Sequence, residues 1–196
     1  MKLKEKGIKV GVSNKHIHLS RKDLDILFGD GYELTPIKDL GQPGQYAADE
    51  VVDIVGPKGT IPRVRVLGPV RKDTQLEVSK TDAFKLGVNP PVRDSGDISG
   101  SEGIKIVGPK GEVEIKEGVI LAKRHIHMHT DDAAFYNLKD KDIVSVLSKT
   151  DGRNLIFQDV LIRVSDKYAL EFHVDTDEAN AALLRNNDLI YIIEEF

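Results

Sequence analysis

The sequence predicts a mainly β protein built as two β-barrel domains capped by short α-helices, with a metal site between them. Three observations predict it. Short β-branched runs recur along the 196-residue chain, most of them separated by Gly, Pro or Asp turns. Helical pattern is confined to four short stretches. A His-x-His segment occurs twice, at His16 and His18 and again at His125 and His127, as if two diverged halves each supplied one.

The strand-like runs, in chain order, are residues 8–12, 51–55, 64–67, 75–78, 104–107, 113–115, 119–122, 143–147, 155–164, 169–174 and 189–193. The helical stretches are marked by their ends. Residues 21–28 follow Ser20, an N-cap, and stop at Gly29. Residues 80–86 lie between Ser79 and Gly87, residues 131–137 follow Thr130, and the Ala-rich stretch 176–185 opens with Thr-Asp-Glu. Residues 89–101 contain Pro90 and Pro91 and several Gly and Ser. They read as a long ordered loop, and loops of that length often carry function.

Two segments recur. Asn14-Lys15-His16-Ile17-His18-Leu19-Ser20 resembles Lys123-Arg124-His125-Ile126-His127-Met128-His129-Thr130, each ending a strand-like run before a capped helix. Ile54-Val55-Gly56-Pro57-Lys58-Gly59 returns as Ile106-Val107-Gly108-Pro109-Lys110-Gly111, which reads as hairpin-turn chemistry. Two barrel-like halves account for both, with the site where they meet.

Composition narrows the chemistry. With 40% hydrophobic and 31% charged residues this is an ordinary globular chain. The net charge of -4 gives no general attraction to nucleic acid or an anionic membrane. The first residues lack the apolar core of a signal peptide, and no apolar run approaches the ~20 residues of a membrane span. A cytoplasmic protein is expected. There is no cysteine, which removes disulfides, thiolate zinc sites and cysteine nucleophiles. A transition metal must be held by His, Asp or Glu.

Five of the six histidines fall in the two clusters. In an extended segment residues i and i+2 share a side, roughly 6.5 Å apart, so two imidazoles can converge on one ion. On a helix the same spacing would point them apart. His173, in another strand-like run, adds a fifth ligand. His129 has Ser20 as its counterpart and suits a cap or an outer partner. Five histidines with one carboxylate suit two ions, and imidazole favours zinc among the abundant metals. Arg71, at the abrupt turn Gly68-Pro69-Val70-Arg71, would grip a phosphate bidentately if it faces a pocket. Ser95, within Arg93-Asp94-Ser95-Gly96-Asp97, and the glycine after it would offer a hydroxyl and backbone N–H groups to an oxyanion. No P-loop, G-x-G-x-x-G or G-x-S-x-G is present, so nucleotide hydrolysis and serine-hydrolase chemistry lose their usual signals.

The combined pattern resembles the PduL-type phosphate acyltransferases, or phosphate propanoyltransferases. It comprises the two His-x-His segments, Gly41-Gln42-Pro43-Gly44-Gln45-Tyr46, Val66-Leu67-Gly68-Pro69-Val70-Arg71 and Glu77-Val78-Ser79-Lys80-Thr81-Asp82-Ala83. It continues with Pro90-Pro91-Val92-Arg93-Asp94-Ser95-Gly96-Asp97 and His173-Val174-Asp175-Thr176-Asp177-Glu178-Ala179-Asn180. The likeness runs from about Val10 to the C-terminus. It implies one barrel of residues 1–14 with 123–196 and another of 15–122, and a two-zinc site held by His16, His18, Glu77, His125, His127 and His173. The family's phosphate-binding arginine falls on Arg71, and Ser95 lies in the matching active-site loop. Lys38, Leu67 and Arg163 are implied contacts to coenzyme A.

The reaction implied is acyl-CoA plus phosphate giving acyl phosphate plus CoA, with acetyl or propionyl as the acyl group. Zinc would assist direct attack of phosphate on the thioester. The alternative is a zinc hydrolase of a thioester, amide or phosphoester, with metal-bound hydroxide as nucleophile. A homodimer is expected. Only about eight residues precede the first strand, where members housed in bacterial microcompartments carry an amphipathic extension. A free cytoplasmic enzyme is therefore as well supported as one in a microcompartment lumen.

Overall fold

The computed structural model describes residues 1–195. The chain opens with β1 (Lys2–Leu3) and β2 (Ile8–Ser13), breaks at Asn14-Lys15, and forms β3 (His16–His18) before α1 (Arg21–Phe28). Next come β4 (Pro36–Asp39), β5 (Tyr46–Val55), β6 (Thr60–Gly68), β7 (Gln75–Glu77) and α2 (Lys80–Leu86). β8 (Val92–Arg93), β9 (Glu102–Val107) and β10 (Glu112–Ala122) lead to β11 (His125–Met128) and α3 (Thr130–Tyr136). The last elements are β12 (Ile143–Ser148), β13 (Ile156–Val164), β14 (Glu171–Asp175), α4 (Thr176–Ala181) and β15 (Leu189–Glu195). Strand outweighs helix, 46% to 14%, so the protein is mainly β as its sequence predicts.

The chain forms two compact units. One takes Met1–Ser13, Gly41–Pro43 and the stretch from Lys123 onward, and the other takes Asn14–Leu40 and Gly44–Ala122. In the first unit six strands run β15-β12-β13-β11-β14-β2, and β2 pairs back onto β15 to close a barrel, with β1 alongside β15. β2 enters parallel to β14, Val10 opposite Phe172 and Val12 opposite Val174. In the second unit β5-β6-β3-β7-β10-β9 closes as β9 returns to β5, and β4 and β8 extend the sheet. Closing each sheet on itself is the way barrels remove exposed strand edges. Each barrel has its own core. Ile8, Val10, Ile126, Ile162, Phe172 and Ile190 fill the first, and Ile17, Leu19, Ile54, Val66, Leu76 and Ile106 the second.

The helices largely start where their caps dictate. Ser20 accepts from Asp23 N and Ser79 from Asp82 N, and α1 and α2 end at Gly29 and Gly87. Two helices differ from expectation at their ends, and α3 stops at Tyr136 with Asn137 as its C-cap. α3 begins at Thr130, and its cap is His129, whose side chain accepts from Asp131 N. α4 is capped by Asp175 in a capping box with Glu178 and stops at Ala181, well short of Arg185. Leu183 there takes φ 54°, which an α-helix cannot continue through. The runs 113–115 and 119–122 are one strand, β10, with an irregularity between Ile115 and Val119. The long loop 89–101 contains the two-residue strand β8, which pairs parallel to β10.

The His-x-His repeat relates the two units, one copy in each. The Gly-Pro-Lys-Gly repeat does not, because both copies lie in the second unit. Its tips do more than turn: Lys58 N donates to Leu86 O and Lys110 N to Leu27 O, each at 3.0 Å. Each hairpin tip thus satisfies a carbonyl at the end of a helix. The approach demands glycine, since a Cβ on Gly108 would stand 2.6 Å from Leu27 O. Gly108→Ala is therefore expected to destabilise the second unit by about 2 kcal/mol, lowering its melting temperature by about 6 °C. Calorimetry checks this, and an unchanged transition would contradict the packing described.

Candidate metal centres

β3 and β7 build the first cluster. They pair antiparallel with His16 opposite Glu77 and His18 opposite Gln75. Alternation sends Ile17 into the core and His16 and His18 to the other face, so four polar side chains form one block. All four are buried. Ligand atoms of His16, His18 and Glu77 lie within 4.8 Å of one another, and His16 Nε2 is 3.5 Å from Glu77 Oε2. The backbone holds the imidazoles: His16 Nδ1 pairs with Asn14 O at 2.8 Å and His18 Nδ1 with Leu67 O at 3.2 Å. Nδ1–H donating to a carbonyl leaves the Nε2 lone pair for a ligand.

Glu77 is held from its other oxygen. Oε1 accepts from Ser95 Oγ and Gln75 Nε2, both at 2.7 Å. Ser95 Oγ also accepts from Arg71 Nη1 at 3.2 Å and Gln75 Nε2 at 3.0 Å, while Gly96 N donates to Gln75 Oε1 at 2.7 Å. Arg71 is fixed at its backbone, where its N–H donates to Leu19 O at 2.9 Å. Burial alone would raise the Glu77 carboxyl, but His16, His18, the Ser95 hydroxyl and Arg71 outweigh it and hold it at about 2. Burial, then the neighbouring His16 and Arg71, lowers His18 to about 3.

β11, β13 and β14 build the second cluster in the other unit. β11 and β14 pair antiparallel with His125 opposite His173 and His127 opposite Glu171. The block matches the first: two histidines on one short strand face two polar residues at i and i+2 on the next. His125 Nδ1 pairs with Lys123 O at 2.8 Å, the same contact that His16 makes. His125, His127 and His173 again offer ligand atoms within 4.8 Å of one another. Their ring centroids are 4.6–5.0 Å apart. Burial, then His125, His173 and Arg163, lowers His127 to about 2.

The residues present fit a metal at both clusters. His127 Nδ1 is buried with no hydrogen-bond partner among the described residues, a costly state for a polar atom unless an electrophile meets the ring. His18 and His127 stay neutral at neutral pH, as ligation requires. Each cluster supplies three protein donors of the kind zinc takes, and three leave a tetrahedral ion one open position.

The remaining sequence-derived residues are placed unequally. Arg71 and Ser95 join the first cluster through the contacts above. Leu67 lends its carbonyl to His18. Arg163 stands on β13 opposite His127, its guanidinium 5.8 Å from the Tyr168 ring centroid. Lys38 is exposed on β4 and pairs with Ala47 through the backbone; among the described contacts its side chain has no hydrogen bond or ion pair to the cluster. His129 serves as the α3 cap, outside the trio. Sequence reasoning assigned no role to Gln75, Gln42, Glu171 or Tyr168, whose ring lies 4.4 Å from that of His127. A signal existed for two of them: Gln75-Leu76-Glu77 and Glu171-Phe172-His173 share the polar–apolar–polar spacing of the histidine pairs.

Because the folded-state values of His18 and His127 lie below the ordinary imidazole value of 6.5, the folded protein binds fewer protons than the unfolded chain below that pH. Stability of metal-free protein should hold above pH 6.5 and fall as pH drops toward 5, by about 1.4 kcal/mol per pH unit for each imidazole kept neutral. Below 4.5 the Glu77 carboxylate adds a loss of the same sign. Melting temperatures of chelator-treated protein from pH 7.5 to 5 check this. The double variant His18→Gln/His127→Gln should flatten the profile, and a flat wild-type profile would contradict it.

A family model described as phosphate propanoyltransferase matches residues 9–185. The chain is 68% identical to the phosphate propanoyltransferase of Thermotoga maritima, over 97% of this chain and 91% of that protein. It is 56% identical to that of Priestia megaterium, over 92% and 83% of the respective lengths, and 51% identical to that of Clostridioides difficile, over 98% and 91%. A match covering nearly all of both chains at such identity makes this chain a member of the phosphate propanoyltransferase family.

Proposed function

We propose that the protein interconverts acyl-CoA and phosphate with acyl phosphate and CoA, taking acetyl or propionyl groups, by zinc-assisted direct attack of phosphate on the thioester. The observation that carries this reading is the contact chain Arg71–Ser95–Glu77, which links a permanent cation to the carboxylate of a candidate metal trio. His16, His18 and Glu77 would hold one ion, and His125, His127 and His173 another. When bound, zinc supplies Lewis acidity toward a carbonyl and charge compensation for a departing thiolate.

The other roles fall to the chain itself. Arg71 binds phosphate, which its guanidinium grips bidentately without losing charge. Ser95 Oγ holds the guanidinium by accepting from Nη1. Gln75 buttresses Ser95 and Glu77 together. Lys38, Leu67 and Arg163 are proposed to contact CoA, the two cations through its phosphates. Direct attack needs no acyl-enzyme, in keeping with a chain that has no cysteine nucleophile.

Assays with acetyl- and propionyl-CoA, with and without phosphate, test the reaction. Turnover should require phosphate and stop when the metal is removed. CoA release at a similar rate without phosphate would favour a zinc hydrolase instead. Arg71→Ala should raise the KM for phosphate about 10- to 100-fold, the loss of a charged hydrogen-bonded contact, with the KM for CoA within about twofold. Equal effects on both substrates would remove Arg71 from the phosphate site.

A further inference from the structure

Glu171 stands two residues before His173 on β14, with its carboxylate on the same side as the imidazole. Its Oε2 lies 2.7 Å from His173 Nε2 and accepts from Gln42 Nε2 at 3.1 Å. The slot that holds it is narrow. A Cβ on Gly11 would stand 2.7 Å from Oε1, and one on Gly41 would collide with both oxygens. Gln42 is itself locked, donating to Ala169 O at 3.0 Å and accepting from Ala169 N at 3.2 Å. Two glycines and a buried amide therefore fix one carboxylate against one ring nitrogen.

We propose that Glu171 is a positioning residue for His173: it accepts the Nε2–H, fixes that tautomer, and makes Nδ1 the atom offered to an ion. The inference rests on the reading that His125, His127 and His173 hold a metal. A neutral imidazole has one N–H and one lone pair, and a carboxylate only accepts, so the lone pair falls on Nδ1. His16, His18 and His125 are oriented the other way, through Nδ1 to backbone carbonyls. His173 thus binds through the opposite nitrogen from these three.

The two blocks also match in carrying one carboxylate each. In the first, Glu77 is in the trio and the neutral Gln75 lies beside it. In the second, the trio is three imidazoles and the carboxylate is the outer neighbour, Glu171. Each four-residue block therefore contains one carboxylate, used once as a ligand and once to raise the basicity of a ligand.

Nitrogen-15 NMR of the histidines, together with zinc affinity by chelator competition, tests this. Metal-free wild type should show His173 protonated at Nε2, and zinc-loaded protein should show it ligated through Nδ1. Glu171→Ala should lose the tautomer preference and bind zinc at this trio 10- to 100-fold more weakly, with an unchanged metal-free melting temperature. Glu171→Gln, which preserves the shape, should fall between, and it serves as the comparison if the alanine variant does not fold. Ligation of His173 through Nε2, or wild-type affinity in both variants, would overturn the proposal. Wild-type protein that takes up no zinc at these histidines would overturn the metal reading itself, before any variant is compared.

Discussion

Two short antiparallel ladders set everything else in this molecule. Where β3 meets β7, His16 faces Glu77, and where β11 meets β14, His125 faces His173. A slip of one residue in either ladder would turn the imidazoles toward the core and bring Ile17 or Ile126 to the outer face. Burial of these isoleucines at 0% exposure forbids that slip, so the apolar core enforces the polar constellation on its reverse side. The barrels give rigid walls for strands of only three or four residues, which could not hold register alone.

The same logic explains how the polar clusters persist. Three imidazoles, or two with a carboxylate, are costly to bury near one another without compensation. In the second unit Ser95 and Gln75 donate to the Glu77 oxygen turned away from the histidines, and Ser95 links it to the Arg71 cation. In the first unit Glu171 and Gln42 serve His173, while His127 keeps a buried nitrogen with no hydrogen-bond partner among the described residues. A cation ligated there would relieve that cost.

Much of this was legible in the sequence, for identifiable reasons. Period-two alternation exposed the histidine pairs, and Ser20, Ser79, Gly29 and Gly87 marked two helices to the residue. Boundaries failed where local preference was overruled. Thr130 is the better cap by type, yet His129 holds the extended backbone that a cap needs. β3 and β11 are too short to show a period of their own and read as tails of the preceding strands. Gln42, Gln75 and Glu171 stayed without a role because their partners are set by cross-strand register and by a distant loop, neither of which one sequence encodes locally. Glu77 entered only through family resemblance, although its spacing from Gln75 carried the same alternation signal.

Each unit offers its own candidate three-ligand metal site, His16, His18 and Glu77 in one and His125, His127 and His173 in the other. Elemental analysis of metal per chain in two single variants, Glu77→Ala and His125→Ala, tests it most directly. Two ions are expected in the wild type and one in each variant, with a different site emptied in each. A wild type with no bound ion, or single variants that fold normally and retain both, would contradict it.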